Sequence, residues 1–215
     1  MSDPNFLNYW NKMYSESNVF GTGATLLAKH AEKIIQDKDV KKILEVGCGQ
    51  GRDSFHFSEL GYNVHAFDIS QNAIDFVNRL KKDHNFSNLT PFVHDARNPL
   101  SEITEKFDFI YSNLALQFFE ISELNSIFKN IVDLMKPSSS FLFSTKKAGD
   151  KYHNFGKKIS DVEFSHKNVS RFFYDQEILE KTLSKYFEIV TFDSLKHSNL
   201  DNSISMWWKI QVKKI

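Results

Sequence analysis

The stretch Ile43-Leu-Glu-Val-Gly-Cys-Gly-Gln-Gly-Arg-Asp-Ser54 passes from a short apolar run into a cluster of glycines. The run KKILEV is apolar and ends at glycine, which indicates a buried β-strand. Gly47, Gly49 and Gly51 each cost backbone entropy, so their clustering indicates a loop that approaches another group closely. A helix that follows such a loop begins with free N–H groups, which can bind a ligand. We therefore expect a ligand-binding loop between a strand and a helix.

Strands and helices alternate along most of the chain outside this loop. Apolar runs predict seven strands, namely KKILEV, YNVHAFDI, LTPFVH, FDFIYS, SFLFSTK, FEIVTFDSL and SISMWWKIQVKK. Helical spacing predicts helices between most of them, including one over 22–36, one after an N-cap at Ser70, and one that ends before Pro137. The last two strands have no helix between them and should pair antiparallel. This pattern predicts an α/β fold with a mostly parallel sheet covered on both faces.

Composition excludes several classes of protein. The chain has 215 residues, a formal charge of +0 and a pI near 7.1, which argues against a dedicated binder of nucleic acid or anionic membrane. One cysteine is typical of a reducing compartment. The N-terminus lacks the pattern of a signal peptide, and no apolar run approaches the ~18 residues of a membrane span. We expect a cytoplasmic protein with one domain over 1–215, comprising an N-terminal helical segment (1–38) and an α/β core (39–215).

An acidic residue after the second strand indicates the kind of ligand. Asp68 lies about 20 positions after Gly47, where α/β proteins place the carboxylate that binds a ribose diol. A dinucleotide-binding loop of the form G-x-G-x-x-G/A would require a small residue at the position of Arg52. The bulk of Arg52 disfavours a bound pyrophosphate. The pattern predicts an adenosine-containing cofactor, and an NAD(P)-dependent oxidoreductase remains as an alternative.

Several further segments resemble one family. The spacing E-x-G-x-G-x-G over Glu45–Gly51 resembles the first motif of class I S-adenosylmethionine-dependent methyltransferases. HAFDIS resembles the second motif, whose acidic residue, here Asp68, binds both ribose hydroxyls. VHDARN resembles the third, in which Asp95 would hydrogen-bond the adenine amino group and Ala96 its neighbouring ring edge. FDFIYSNLALQFF resembles the fourth, beside the transferred methyl, and LMKPSSSFLFST resembles the helix, turn and strand that follow.

The resemblance covers roughly 40–215 and implies a three-layer Rossmann-like fold. It implies the strand order 3-2-1-4-5-7-6 with an antiparallel seventh strand, and S-adenosylmethionine as cofactor, with S-adenosylhomocysteine as product. In relatives, a segment such as Asn8–Tyr14 folds over the cofactor as a helical cover; a helix packed on the sheet edge is the alternative. The small size and the tail resemble small-molecule methyltransferases, including the tellurite- and thiopurine-resistance type.

The resemblance assigns a set of residues to the cofactor. They are Trp10, Tyr14, Glu45, Gly47, Cys48, Gly49, Gly51, Asp68, Ile69, Asp95, Ala96 and Asn113. Cys48 has no visible partner base, so we expect no covalent role for it. His153, His166 and His197 lack metal-ligand spacing, so we expect no metal site.

The expected reaction is an in-line displacement at the methyl group of a sulfonium. It depends on alignment, which can lower a barrier by ~7–11 kcal/mol, and it needs a general base only where the nucleophile must lose a proton. The absence of an obvious catalytic dyad is therefore no objection, and the catalytic residues stay unassigned. A relative that binds the cofactor without turnover remains a further alternative.

The methyl acceptor is predicted to be a small molecule. The segment Asn113-Leu-Ala-Leu differs from the N-P-P-Y pattern of enzymes that methylate exocyclic amines, and the Pro-Cys pair of cytosine C5 enzymes is absent. We expect the acceptor pocket between the N-terminal segment, the 113–119 loop and the 148–173 loop. That loop is part of the weakly periodic segment 146–173, which is predicted to be a lid or a binding loop. The candidate lining residues of the pocket are Trp10, Tyr14, Gln117, Phe118, Tyr152, His153, Arg171, Phe172 and Trp207. Arg171 would hold a substrate carboxylate, unless it is an ordinary surface charge. We expect no nucleic-acid or membrane partner and a monomer or homodimer.

Overall fold

The computed structural model describes residues 4–15, 19–199 and 201–215. In chain order its strands are β1 (Lys42–Val46), β2 (Asn63–Asp68), β3 (Leu89–Val93), β4 (Phe107–Asn113), β5 (Met135–Lys146), β6 (Lys157–Lys158), β7 (Glu163–His166), β8 (Val169–Phe172), β9 (Phe187–Ser198) and β10 (Ile204–Lys214). The helices are α1 (Pro4–Met13), α2 (Leu26–Ile35), α3 (Arg52–Glu59), α4 (Gln71–Asp83), α5 (Ile121–Leu134) and α6 (Gln176–Leu183), with a 3₁₀ helix at Leu116–Phe118.

Seven strands form the central sheet in the order β3-β2-β1-β4-β5-β10-β9. The first five are parallel to one another, and β10 is antiparallel to both β5 and β9. The predicted fold class and strand order are confirmed, with β9 and β10 as the predicted sixth and seventh strands. Because parallel strands share a direction, the carboxyl ends of β1, β2, β4 and β5 meet at one edge of the sheet.

Helices cover both faces of this sheet. Side chains alternate along each strand, so Ile43 of β1 packs with α2, α3 and α4, while Leu44 of β1 packs with α5 and α6. The same alternation divides Phe109 from Ile110 in β4. The predicted N-cap is present, since the Ser70 hydroxyl accepts a hydrogen bond from the Ala73 N–H at 3.3 Å.

The segment 146–173 differs from the predicted binding loop. It contains a second, antiparallel sheet in the order β6-β7-β8, whose residues Phe164 and Val169 are buried. These strands have two to four residues each. Such short strands, separated by turns, leave no sustained period of two in the sequence. No helix within the described ranges is long and apolar enough to cross a bilayer.

Candidate functional site

A cavity of about 550 Å³ opens at the carboxyl edge of the central sheet. Its wall combines the loops after β1, β2, β3 and β4 with α1 and the second sheet. The volume lies within the ~300–1,000 Å³ typical of small-molecule sites. The residues assigned to the cofactor that line it are Trp10, Tyr14, Glu45, Gly47, Cys48, Gly49, Asp68, Ile69, Asp95, Ala96 and Asn113. The residues assigned to the substrate that line it are Gln117, Phe118, Tyr152 and Arg171.

The glycine loop leaves no room for side chains at two of its positions. Gly47 has φ +73°, and a Cβ there would lie 2.5 Å from the Cβ of Ala115. Gly49 has φ +53°, and a Cβ there would lie 2.8 Å from the Tyr14 hydroxyl oxygen. The loop therefore passes closely beneath the segment after β4 on one side and the end of α1 on the other.

Gly51 is outside the cavity wall, unlike the other loop glycines. It caps α3 with φ +79°, and a Cβ there would lie 2.9 Å from Val77 of α4. This glycine therefore permits helix packing, which is a role that the motif spacing alone does not distinguish from ligand contact.

Asp68 joins the glycine loop to the start of α4. Its Oδ2 accepts a hydrogen bond from the Gly49 N–H at 2.9 Å, and its Oδ1 accepts one from the Ser70 N–H at 3.0 Å. Burial raises the pKa of Asp68, although these hydrogen bonds oppose the shift. The carboxylate thus lies in the cavity wall with its orientation set by the backbone.

A second buried carboxylate group lies behind the glycine loop. Asp53 accepts hydrogen bonds from the Thr25 N–H and hydroxyl, each at 2.8 Å, and from the Tyr111 hydroxyl at 2.6 Å. Glu45 accepts a hydrogen bond from the Ser54 hydroxyl. Burial, together with the charge of Asp53, raises the pKa of Glu45 well above its ordinary value.

Cys48 is buried between these acidic groups. Burial and the charge of Asp68 raise the pKa of its thiol well above the ordinary value. A neutral thiol is a weak nucleophile. The environment therefore gives Cys48 the character of a small packed side chain.

Asp95 forms a fork-shaped ion pair with Arg97. The guanidinium donates to Oδ1 at 2.9 Å and to Oδ2 at 2.7 Å, and Arg97 also contacts Glu123 at 2.8 Å. Burial would raise the pKa of Asp95, but the hydrogen bonds from Arg97 outweigh it and lower the pKa. Arg97, which sequence analysis did not single out, thus holds Asp95 ionised at the cavity wall.

The helix α1 covers the cavity. Trp10 stacks on Tyr14 with ring centroids 5.6 Å apart and meets Phe118 edge to face at 4.8 Å. Asn11 connects α1 to the start of α4. Its side-chain Oδ1 accepts a hydrogen bond from the Ser70 hydroxyl at 2.8 Å, and its backbone carbonyl oxygen accepts one from the Asn72 side chain at 2.8 Å. For the segment Asn8–Tyr14 we considered a helical cover and a helix packed on the sheet edge, and the structure has the cover.

The end of the cavity farther along the sheet carries positive charge. Arg171 of β8 lies over the rings of Phe118 and Tyr152, at 5.5 and 4.7 Å from their centroids. Lys146, at the end of β5, contacts the buried Asp150 at 2.7 Å. Burial lowers the pKa of Lys146, and the hydrogen bond to Asp150 opposes that shift.

The two ends of the cavity therefore differ in the sign of their charged side chains. Asp53 and Asp68 line its glycine-loop end beside Glu45, whose raised pKa favours the neutral form, and Lys146 and Arg171 line the other. Cationic ligand groups are favoured at the first end and anionic groups at the second.

Three residues expected at the substrate pocket lie elsewhere. His153 packs against Phe164 and Phe173, with ring centroids 5.0 and 5.1 Å away, in the core of the second sheet. Phe172 stacks on Tyr174 because its side chain points opposite to that of its neighbour in β8. Trp207 lies beside Lys146, outside the cavity wall.

Other lining residues were not predicted from the sequence to belong to this site. They include Thr25, Asp53, His94, Lys146, Phe155 and His166. Asp53 resembles an ordinary acidic residue in the first turn of a helix, and Lys146 an ordinary charge at a strand end, so the sequence carried no signal for either. Over residues 4–15, 19–199 and 201–215, no three His, Cys, Asp or Glu side chains gather in a metal-binding group.

Comparison with known proteins gives a family. The sequence model of the family described as "Tellurite resistance protein TehB" matches residues 7–193. A probable S-adenosyl-L-methionine-dependent methyltransferase TehB of Haemophilus influenzae is 34% identical over 124 residues, or 58% of this chain and 40% of the relative. A malonyl-[acyl-carrier protein] O-methyltransferase of Buchnera aphidicola is 29% identical over 124 residues, which cover 58% of this chain and 47% of the relative. The matched part thus spans less than half the length of either curated relative.

Solved structures share the fold. The crystal structure of TehB from Haemophilus influenzae superimposes with a TM-score of 0.67 at 22% identity, covering 97% of this chain and 67% of that one. An S-adenosylmethionine-dependent methyltransferase from Clostridium acetobutylicum superimposes with a TM-score of 0.73 at 14% identity, covering 96% and 98%. At these identities the likeness establishes the Rossmann-like architecture.

Proposed function

This chain belongs to the TehB family of tellurite resistance proteins, and from that premise we propose that it transfers a methyl group from S-adenosylmethionine to a small molecule. The acceptor atom is an O, N or S nucleophile, and the transfer is an in-line displacement. The relatives named as methyltransferases support the reaction type.

One observation carries the proposal for this chain. A single cavity joins the glycine loop and Asp68 to the segment Asn113–Gln117 after β4. Methyl transfer requires the donor and the acceptor to adjoin in one enclosed space, with the reacting atoms aligned. The cavity supplies that space.

The residues present suit the proposed cofactor. Gly47 and Gly49 line the cavity, and a Cβ at either would collide with Ala115 or Tyr14, so the loop keeps this close packing only with bare backbone. Buried Asp68 accepts backbone hydrogen bonds from Gly49, Ile69 and Ser70, and a carboxylate with about four acceptor positions keeps capacity for a ribose hydroxyl. When bound, S-adenosylmethionine supplies a methyl group on a cationic sulfur, and the acidic end of the cavity favours such a charge.

The chain itself contributes binding, orientation and exclusion of water. Asp68 and Asp95 would orient the nucleoside, and the rings of Trp10, Tyr14 and Phe118 would shield the reacting atoms from solvent. Alignment and exclusion of water are sufficient in principle, because they can supply ~7–11 kcal/mol of barrier lowering.

The oxidoreductase alternative has less support. The Arg52 side chain donates hydrogen bonds to the carbonyl oxygens of Gly23 and, at 3.1 Å, Phe20. These contacts place a large cation at the helix start, where a dinucleotide fold needs a small residue for close packing.

The first experiment is a thermal-shift titration with S-adenosylmethionine, S-adenosylhomocysteine, NAD and NADP in parallel. A ligand that binds only the folded protein stabilises it by ~2.7 kcal/mol at 100 times its dissociation constant. We expect shifts with the first two ligands alone. A shift with NAD or NADP and none with the first two would contradict the proposal. Tellurite, named in the family description, belongs with amines, alcohols and thiols in the acceptor panel that follows.

A further inference from the structure

The side-chain oxygen of Gln117 is an unsatisfied acceptor. Gln117 lies in the 3₁₀ helix after β4, lines the cavity and is only 4% exposed. Its Oε1 is buried and has no hydrogen-bond partner among the residues that the structure describes. A buried polar atom without a partner is unfavourable, so a ligand that donates a hydrogen bond there gains affinity.

The orientation of this amide is built into the loop. The Gln117 Nε2 donates to the Leu114 carbonyl oxygen, which accepts only, so the opposite end of the amide must be the oxygen. Leu114 has φ +54°, an unfavourable conformation for leucine. Hydrogen bonds from its N–H to the Ser144 carbonyl oxygen at 3.2 Å and to the Ser144 hydroxyl at 3.1 Å hold it there. Strain of this kind persists where the surroundings over-determine the backbone, as they often do at functional sites.

A cation without a carboxylate partner lies on the neighbouring ring. The Arg171 guanidinium stacks over Phe118, the residue next to Gln117, and over Tyr152. No carboxylate in the described parts of the chain forms an ion pair with it. A planar guanidinium is well suited to bind a carboxylate through two parallel hydrogen bonds. Gln117 and Arg171 thus both line the cavity, and the guanidinium lies over the ring of the residue next to Gln117.

We propose that this end of the cavity binds an amine that also carries a carboxylate, with Gln117 Oε1 accepting the amine N–H and Arg171 binding the carboxylate. The inference rests on the proposed methyl transfer and names the class of its acceptor.

The unpaired acceptor favours a nucleophile that carries a hydrogen, and a neutral amine meets this requirement. A neutral amine keeps its lone pair for attack while an N–H donates to Gln117. The lone pair forms the new N–CH₃ bond as the S–CH₃ bond of the donor breaks, and the electron pair of that bond stays on sulfur. The methylated nitrogen then loses its extra proton to water, because an amide oxygen is too weakly basic to take it. An ionised thiol or inorganic oxyanion without a hydrogen would leave Oε1 unpaired.

Calorimetry on protein saturated with S-adenosylhomocysteine tests the proposal. The probes are two series, ω-amino acids of two to four carbons and 3- and 4-aminobenzoate, each with the matched acid lacking the amine and the matched amide lacking the carboxylate. Since a hydrogen bond to a buried acceptor is worth about tenfold in affinity, we expect one series to bind about tenfold tighter than its amine-free acid. We expect Gln117→Leu to abolish that advantage, and Arg171→Gln to abolish the preference for acid over amide.

Matched variants separate binding from folding. Gln176→Leu makes the same change on the exposed face of α6 and should leave every affinity unchanged. Gln117→Met, a second apolar variant of similar size, should repeat the effect of Gln117→Leu, and retained affinity for S-adenosylhomocysteine shows that each variant is folded.

Two results would overturn the inference while the proposed function stands. One is S-adenosylhomocysteine binding with no probe bound, or with amines no better than amine-free acids. The other is an amine advantage that survives in both Gln117 variants. Failure of S-adenosylhomocysteine itself to bind would overturn the proposed function and the inference with it.

Discussion

Asp68 connects the geometry of the glycine loop to the proposed binding of the cofactor. Its carboxylate accepts hydrogen bonds from the backbone N–H groups of Gly49 and Ser70. In Asp68→Ala both donors lose their partner in a buried wall, at a cost of ~1–3 kcal/mol for each unpaired group. We expect the affinity for S-adenosylhomocysteine, measured by calorimetry, to fall at least about tenfold. Asp75→Ala, on the exposed face of α4, is the control, and wild-type affinity in a folded Asp68→Ala protein would contradict the assignment.

Glu45 predicts a pH dependence of stability. Burial and the charge of Asp53 raise its pKa in the folded protein. A carboxyl group with a raised folded-state pKa contributes stability that is fully present below its unfolded pKa of about 4.3 and is lost as pH rises through the folded pKa. Glu45→Gln stays neutral at every pH and keeps an oxygen for the Ser54 hydroxyl.

We therefore expect Glu45→Gln to gain thermal stability relative to the wild type as the pH is raised from about 4 towards 9. The measurement is the melting temperature of the ligand-free proteins across that range. Glu59→Gln, on the exposed end of α3, controls for loss of a charge. A constant difference between wild type and Glu45→Gln would show that Glu45 has the same pKa folded and unfolded.

At the scale of elements, the approach of the glycine loop to the segment after β4 depends on one missing side chain. In Gly47→Ala the new Cβ would lie 2.5 Å from Ala115, at φ +73°. Gly61→Ala has a similar φ of +88° with nothing within 4 Å, so it reports the cost of the backbone conformation alone, about 1–2 kcal/mol.

We expect urea denaturation to show a larger loss of unfolding free energy for Gly47→Ala than for Gly61→Ala, because only Gly47→Ala adds a collision. Adding Ala115→Gly to Gly47→Ala removes the collision partner. The double variant should therefore recover the part of the unfolding free energy lost to the collision and keep only the loss due to the backbone conformation. Equal losses for Gly47→Ala and Gly61→Ala would mean that the contact relaxes freely.

For the whole molecule, the helix α1 and the rest of the chain enclose the cavity together. Asn11 ties α1 to the start of α4 through Ser70 and Asn72. In Asn11→Ala the cover loses the hydrogen bonds that the side-chain Oδ1 accepts from the Ser70 hydroxyl at 2.8 Å and from the Asn72 N–H at 3.5 Å, each worth about 1 kcal/mol. The hydrogen bond from the Asn72 side chain to the Asn11 backbone carbonyl and the stacked rings of Trp10 and Tyr14 remain. We expect weaker protection of α1 from hydrogen exchange and faster release of S-adenosylhomocysteine.

The matched control is Asn8→Ala, which makes the same change on the exposed face of α1. Hydrogen exchange followed by mass spectrometry, with and without S-adenosylhomocysteine, checks both variants. Equal protection of α1 in Asn8→Ala and Asn11→Ala would show that the rings alone hold the cover.

Local sequence was sufficient for the central sheet. The apolar runs, the N-cap at Ser70 and the missing helix before the last strand predicted the elements and their antiparallel end. Motif resemblance supplied the strand order, and the structure has that order. The glycine loop and Asp68 were detectable from the sequence because each follows the end of a strand and precedes the start of a helix. The residues that form such a turn are neighbours in the chain, so a short segment is enough to predict it.

The acceptor end of the cavity was decided by tertiary structure. Arg171 and Phe172 are adjacent in β8, and only the packing of the second sheet determines that Arg171 meets the cavity while Phe172 stacks on Tyr174. Because the strands of the second sheet have only two to four residues, the sequence shows no alternation long enough to predict which side chains face the cavity. The sequence by itself therefore determined the sheet and the cofactor loop, whose residues are close in the chain. Residues distant in the chain form the proposed acceptor subsite, and only folding sets which faces they present to one another.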